Sequence, residues 1–240
     1  MHRFFISPDN ISAETVILTG EQARQIAYVL RMKTGDVLVV LDNVGWEYVV
    51  EITAVTRHQI TAQIQEKQTA VGEPSVHITL YMALLKRDKF EWVLQKCTEV
   101  GVGRFVPVVT QRSLVQDDHL KPNKLARWQK IIMEAAEQSR RGRMPTLAEP
   151  LKFGVAVTGL DAAVALIPWE KAKDVGIRSA LAGKTPISIA LFIGPEGGFT
   201  PDEIELAQQY NVQPITLGKR ILRAETAAIV ASSVILYECE

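Results

Sequence analysis

The sequence predicts an α/β protein in two parts: a small β unit, then a larger domain in which a mostly parallel sheet is covered by helices on both faces. Three observations carry this. Between residues 36 and 65, short β-branched segments follow one another with turn residues between them, the pattern of a small β unit. From residue 76 onward, strand-like and helix-like segments alternate, as in βαβ units. Between these regions, segment 69–75 combines Gly72 and Pro74 with a loss of apolar periodicity, which divides the chain into domains 1–71 and 73–240.

The elements follow in order. Residues 21–30 place Ala23, Ile26, Ala27 and Leu30 at helical spacing before Gly35 closes the segment. "DVLVVLDN", "WEYVVEITAV" and "QITAQIQ" are the strands of the β unit. In the second part "VHITLYMALL" reads as a strand, 89–100 as a helix, "RFVPVV" as a strand and 124–139 as a helix. "AAVALIPW" and "ISIALFIG" are strands, a helix starts at Pro201, "VQPITL" is a strand, and the last helix runs over 225–237. In sheets of this kind, ligands bind beyond the carboxyl ends of strands, where loops and helix N-termini converge.

The composition narrows the function classes. Lysine plus arginine and aspartate plus glutamate both number 27, so no global field draws the chain onto nucleic acid or an anionic membrane, and a polyanion must be held by local patches. Cys97 and Cys239 stand far apart, which excludes a zinc ribbon or a disulfide scaffold and fits a reducing cytoplasm. His2, His58, His77 and His119 are scattered, so no metal is expected. No apolar stretch reaches the roughly 20 residues that a spanning helix needs, and "MHRFFISPDN" lacks the apolar core of a signal peptide, so a soluble protein without membrane contact is expected.

Two stretches stand out. "LFIGPEGGF" ends a buried strand in Gly194, Pro195, Glu196, Gly197 and Gly198, a backbone bare enough for a ligand to approach closely. Thr200, Pro201 and Glu203 then supply a capping box for the next helix. A plain strand-to-helix turn explains the glycines about as well. "LGKRILRAETA" repeats the arrangement after the next strand, with Gly218 at the strand end and Lys219, Arg220 and Arg223 adding charge; a surface pair between Arg223 and Glu225 is the simpler reading. Neither a Walker loop nor a G-x-G-x-x-G fingerprint occurs, and there is no G-x-S-x-G elbow. Cys97 falls on the apolar side of its helix with Val93, Leu94 and Val100, a packing position. Within 124–139, Leu125, Trp128, Ile131, Ile132, Ala135 and Ser139 share one face, and Arg140, Arg141 and Arg143 cluster at its end. Those cations complement the helix dipole, or neutralise RNA phosphates if RNA binding is shown separately.

"IGPEGGF" before a helix, "LGKRILRAETA" opening the last one, and the preceding "EAAEQSRR" and "QKCTEVGV" together resemble the bacterial SPOUT methyltransferases that modify N3 of a uridine in 16S ribosomal RNA of the small ribosomal subunit. The likeness runs over nearly the whole chain, including "RFF" and "VLRMKTGD". Ala224 stands where many relatives have threonine, and Gln25 in a segment where many have histidine.

The resemblance implies an N-terminal PUA-like β-barrel that binds RNA and a C-terminal SPOUT domain with a deep trefoil knot. It also implies S-adenosylmethionine in the knotted loops and a homodimer with a shared active site. Carried onto this chain, Ile193, Gly194, Pro195, Gly197, Gly198, Leu217, Gly218, Ile221, Leu222 and Thr226 hold the cofactor, the glycines leaving it room. Uracil N3 must lose a proton as it is methylated. Arg223 is therefore expected to stabilise the uracil anion, with Glu196 or Glu225 as base. Arg3, Arg31 and Lys33 of the barrel, with Arg140, Arg141 and Arg143, are expected to hold the RNA. The alternatives are ribose 2′-O methylation by the same loops, or a non-catalytic RNA-binding assembly factor.

Overall fold

A computed structural model describes residues 1–86, 88–115 and 120–240 of the protein. His119 lies outside the described residues. The chain divides into two units, Met1–Glu73 with Ala136–Met144, and Pro74–Ala135 with Pro145–Glu240.

In the first unit a sheet of order β1-β3-β4-β5-β2 is formed by β1 (Arg3–Phe5), β2 (Thr15–Thr19), β3 (Val37–Leu41), β4 (Trp46–Val55) and β5 (Gln59–Thr69). β1 runs parallel to β3, and the other pairs are antiparallel. Two register shifts, at Val49/Val50 and Ile52/Ala54, mark where β4 bends. Along β2 the burial alternates, Val16 and Leu18 inward, which is the period of a strand with one wet face. The helical reading of 21–30 is met by a short α1 (Gly20–Arg24) that widens into a π-turn through Val29. Arg31, at φ 55°, ends that turn four residues ahead of Gly35.

The second unit holds a parallel sheet of order β12-β10-β11-β6-β7-β8. Its strands are β6 (His77–Ala83), β7 (Arg104–Val109), β8 (Thr146–Leu147), β10 (Val164–Pro168), β11 (Ser188–Ile193) and β12 (Val212–Ile215); β9 (Leu151–Lys152) also pairs with β7. The helices are α2 (Lys89–Val100), α3 (Pro122–Gln138), α4 (Phe153–Thr158), α5 (Ile177–Leu181), α6 (Pro201–Gln209) and α7 (Ala224–Cys239), of which the last turn of α3 belongs to the first unit. β11 is buried over Ile189–Ile193, as a strand covered on both faces must be.

Aromatic packing ties helices to the sheet. Phe192 stacks on Tyr81 with ring centroids 4.4 Å apart, and Phe153 meets Phe199 at 5.3 Å. Phe90 of α2 stacks on Trp128 of α3 at 4.3 Å. Such a pair contributes about 0.5–1.5 kcal/mol beyond its buried area. Cys97 is fully buried, and burial pushes its thiol up to about 12, so it stays protonated and packs as a small apolar group.

Candidate active site

Three strand ends converge: β10 at Pro168, β11 at Ile193 and β12 at Ile215. Around them opens a pocket of about 700 Å³. Of the residues expected at the ligand, Ile193, Gly194, Pro195, Gly197, Gly198, Leu217, Gly218, Ile221 and Leu222 all line it. Glu196 and Arg223 line it too.

Glu225 and Thr226 are absent from the described lining residues. The helical period explains this, because Ala224 and Ala227, three apart, face the pocket and the two residues between them are rotated away. Glu225 is buried at 8% exposure, and its Oε2 has no hydrogen-bond partner among the described residues. The surface pair with Arg223 is thus not made. Arg223 is exposed, and its side chain makes no hydrogen bond or ion pair among the described residues. Its carbonyl accepts from Ala227 N at 2.8 Å, which fixes it at the start of α7.

The glycines have reasons of two kinds. Gly198 (φ 66°) and Gly218 (φ 103°) sit in the left-handed region, where side chains are strained. Gly194 and Gly197 are instead closely packed. A Cβ at Gly194 would lie 3.0 Å from the Phe199 ring, and one at Gly197 would lie 3.2 Å from Cβ of Arg112. At these two positions a side chain would press on Phe199 or Arg112.

Arg112, in the loop after β7, braces the glycine turn from outside. Its Nη1 donates to Gly197 O at 2.9 Å and to Phe199 O at 3.5 Å. The capping box forms as expected, with Thr200 N donating to Glu203 Oε2 at 2.8 Å and Glu203 N to Thr200 Oγ1 at 3.3 Å. Glu203, 4% exposed, also accepts from Gln111 N at 2.9 Å, so one carboxylate joins the α6 cap to the β7 loop. Lys89, the first residue of α2, lines the pocket and pairs with Glu196 at 3.3 Å. Pro168, Trp169 and Glu170 form a further wall that the sequence reading missed. Its only sequence signal was the end of "AAVALIPW", and β10 reaches the site only because it lies between β11 and β12.

The basic residues divide. Arg31, Lys33, Arg140 and Arg143 are exposed. Arg3 and Arg141 are not available as expected: Arg3 is bound to Glu47, and Arg141, 3% exposed, donates to Glu73 at 2.7 Å. Both guanidiniums, Arg3's half-buried and Arg141's buried, have taken a carboxylate from within the protein.

A family described as "RNA methyltransferase domain" matches residues 72–236, and one described as "RNA methyltransferase PUA domain" matches 18–65. Ribosomal RNA small subunit methyltransferase E of Synechocystis sp. is 38% identical over 233 residues, 96% of this chain and 75% of the relative. The chain belongs to this methyltransferase family. Its Bacillus subtilis member is 33% identical over 250 residues, 100% of this chain and 98% of the relative. The member from Neisseria gonorrhoeae, solved bound to S-adenosyl methionine, superposes with a TM-score of 0.89 at 30% identity, covering 99% of this chain and 97% of that one. A methyltransferase from Legionella pneumophila, solved with bound SAM, gives a TM-score of 0.86 at 30% identity, with 98% and 96% covered.

Proposed function

We propose that the protein transfers a methyl group from S-adenosylmethionine to N3 of a uridine in 16S ribosomal RNA of the small ribosomal subunit. The observation that carries this reading is the pocket at the β10, β11 and β12 ends, where two glycine-bearing turns meet beside an arginine with no protein partner among the described residues.

The residues fit the cofactor. Leu217, Leu222 and the 87% exposed Ile221 offer apolar surface for a flat heterocycle, while Glu170 and Lys89 offer charge to the two ends of an amino acid. S-adenosylmethionine supplies a methyl on a sulfonium, which carries its own leaving group, so no covalent nucleophile is needed. What the protein adds is position and electrostatics. Arg223 meets the negative charge that grows on the uracil as its N3 proton leaves. Glu196, which lines the pocket and pairs with Lys89, is our candidate to take that proton, and Glu225 is not in the lining. Because N3 lies on the Watson–Crick edge, the uridine must be single-stranded or extruded.

Further parts of this reading concern assembly. The first unit holds RNA, with Arg31, Lys33, Arg140 and Arg143 as its exposed cations, and the second carries the chemistry. A trefoil knot is inferred for the second from its family. α7 is mostly apolar without a distinct polar face, yet leaves Val234 and Tyr237 exposed at 36% and 80%, which favours a homodimer through this helix. Sedimentation of a Tyr237→Glu variant should show monomers, and an unchanged mass would argue against that interface. No described helix is long and apolar enough to cross a membrane, in keeping with work in the cytoplasm.

The decisive experiment incubates the protein with radiolabelled S-adenosylmethionine and small subunits lacking the modification, then maps the methyl by nucleoside mass spectrometry. Label at a ribose 2′-O would replace the uridine-N3 assignment, and no transfer would leave only an RNA-binding role. Arg112→Ala should weaken cofactor affinity about fivefold, since an exposed charge-assisted hydrogen bond contributes about 1 kcal/mol. Calorimetry checks this, and unaltered affinity would remove Arg112 from the support of the turn.

A further inference from the structure

The tip of the β3–β4 hairpin carries an exposed aromatic residue on a stiff base. Asp42 orders the tip, its Oδ1 accepting from Val44 N at 2.9 Å and Trp46 N at 3.0 Å. Trp46 follows at 40% exposure, with Lys67 Nζ 4.5 Å from the ring centroid. Lys67 lies opposite Tyr48 in the ladder, so it emerges on the same face as Trp46.

A second, remote segment is docked onto this tip. Arg143 Nη2 donates to Val44 O at 3.2 Å, and Met144 N donates to Asn43 Oδ1 at 2.6 Å. Any Cβ at Gly142 would collide with Ala70 at 2.2 Å, and one at Gly72 with the Arg140 carbonyl at 2.3 Å, so both glycines are needed for this approach. Glu73 accepts from the Gly142 and Arg143 amides and pairs with Arg141. Three stretches far apart in sequence, 42–46, 67–73 and 140–144, therefore present one surface.

Its charge is one-sided. Glu73 is committed to Arg141, Glu47 to Arg3, and Asp42 to the amides of its own turn, while Lys67, Arg140 and Arg143 have no carboxylate partner among the described residues. An exposed indole beside uncompensated cations matches the chemistry of single-stranded nucleic acid, which offers a π-face and phosphates together. We propose that this surface holds an unpaired nucleotide of the RNA substrate, its base stacked on Trp46 and its neighbouring phosphates met by Lys67 and Arg143. The proposal rests on the reading that the substrate is RNA, and adds a contact outside the methyl-transfer pocket. The simpler role for Trp46, closing the end of the β-unit core, predicts an effect on stability alone.

The test measures binding of full-length protein to unmethylated 16S ribosomal RNA against salt, with S-adenosylmethionine binding as control. Trp46→Ala should weaken RNA affinity about tenfold or more, and Trp46→Phe should keep most of it, because a phenyl ring still stacks. The double variant Lys67→Gln with Arg143→Gln should lower the slope of log affinity against log salt by about 1.4, the loss of two single-strand phosphate contacts. Cofactor affinity should be unchanged in all three. Wild-type RNA affinity in Trp46→Ala overturns the proposal. If that variant does not fold, an unaltered salt slope in the double variant overturns it instead. Normal binding of free RNA with loss of binding to intact subunits would assign the surface to a ribosomal protein and also overturn it. Failure of the parent reading is separate, appearing as wild-type protein that binds no ribosomal RNA at all.

Discussion

Replacing Arg223 by alanine is expected to lower the rate constant for methyl transfer about 100- to 1,000-fold while leaving cofactor affinity within about threefold, the range found when one donor to a developing oxyanion is removed. Three observations set this expectation. Arg223 lines the pocket, its guanidinium is unpaired among the described residues, and its backbone is anchored by the first hydrogen bond of α7. A cation without a protein partner is placed to meet charge that appears only during reaction, which raises kcat rather than ground-state affinity. If Arg223 merely held a phosphate, KM for RNA would rise and kcat would stand. Arg223→Lys should recover part of the rate, since it keeps the charge and loses the fork. Single-turnover kinetics separates the outcomes, and an undiminished rate in the alanine variant would end the anion-stabilising role.

Gly218→Val should weaken S-adenosylmethionine binding by at least about tenfold with little loss of melting temperature, because strain of about 1–3 kcal/mol in a surface loop is relieved by moving the loop. At φ 103° a valine is strained, although nothing lies within 4 Å of the Cβ it would add. The loop is pinned where it is by Thr216, whose Oγ1 accepts from Gly218 N at 3.1 Å. Rearranging it removes the wall formed by Leu217, Ile221 and Leu222. Gly183 makes the matched control, at φ 70° with equally open space, but outside the pocket lining. Gly183→Val should therefore show a similarly small loss of melting temperature and leave binding intact. Equal affinity in the two variants by calorimetry would show that the Gly218 backbone does not shape the site.

Some of this site was legible residue by residue. The Thr200 cap with Glu203, the bare turn at 194–198 and the apolar face of α3 through Trp128 and Ile132 all follow from local rules of backbone and period. The rotation of Glu225 and Thr226 away from the pocket follows from the same period, and a helical wheel on 223–227 would have found it. Strands β8 and β9 were not legible, because two residues carry no period. Nor were Arg112, Lys89 and Glu170. Lys89 and Glu170 line the pocket and Arg112 braces its glycine turn, each from a loop or helix start that only the parallel order of β6, β7, β10 and β11 brings near.

The arginine cluster draws the line most clearly. Its residues are alike in sequence, yet Glu73, some 70 residues away, takes Arg141 inside and leaves Arg143 at the surface. By itself the sequence determined where the backbone must bend without side chains and which faces of its helices are apolar, since both depend on neighbours along the chain. Only the tertiary structure decided which charges remain uncompensated and which side chains share the pocket, because those depend on partners that folding brings together from distant segments.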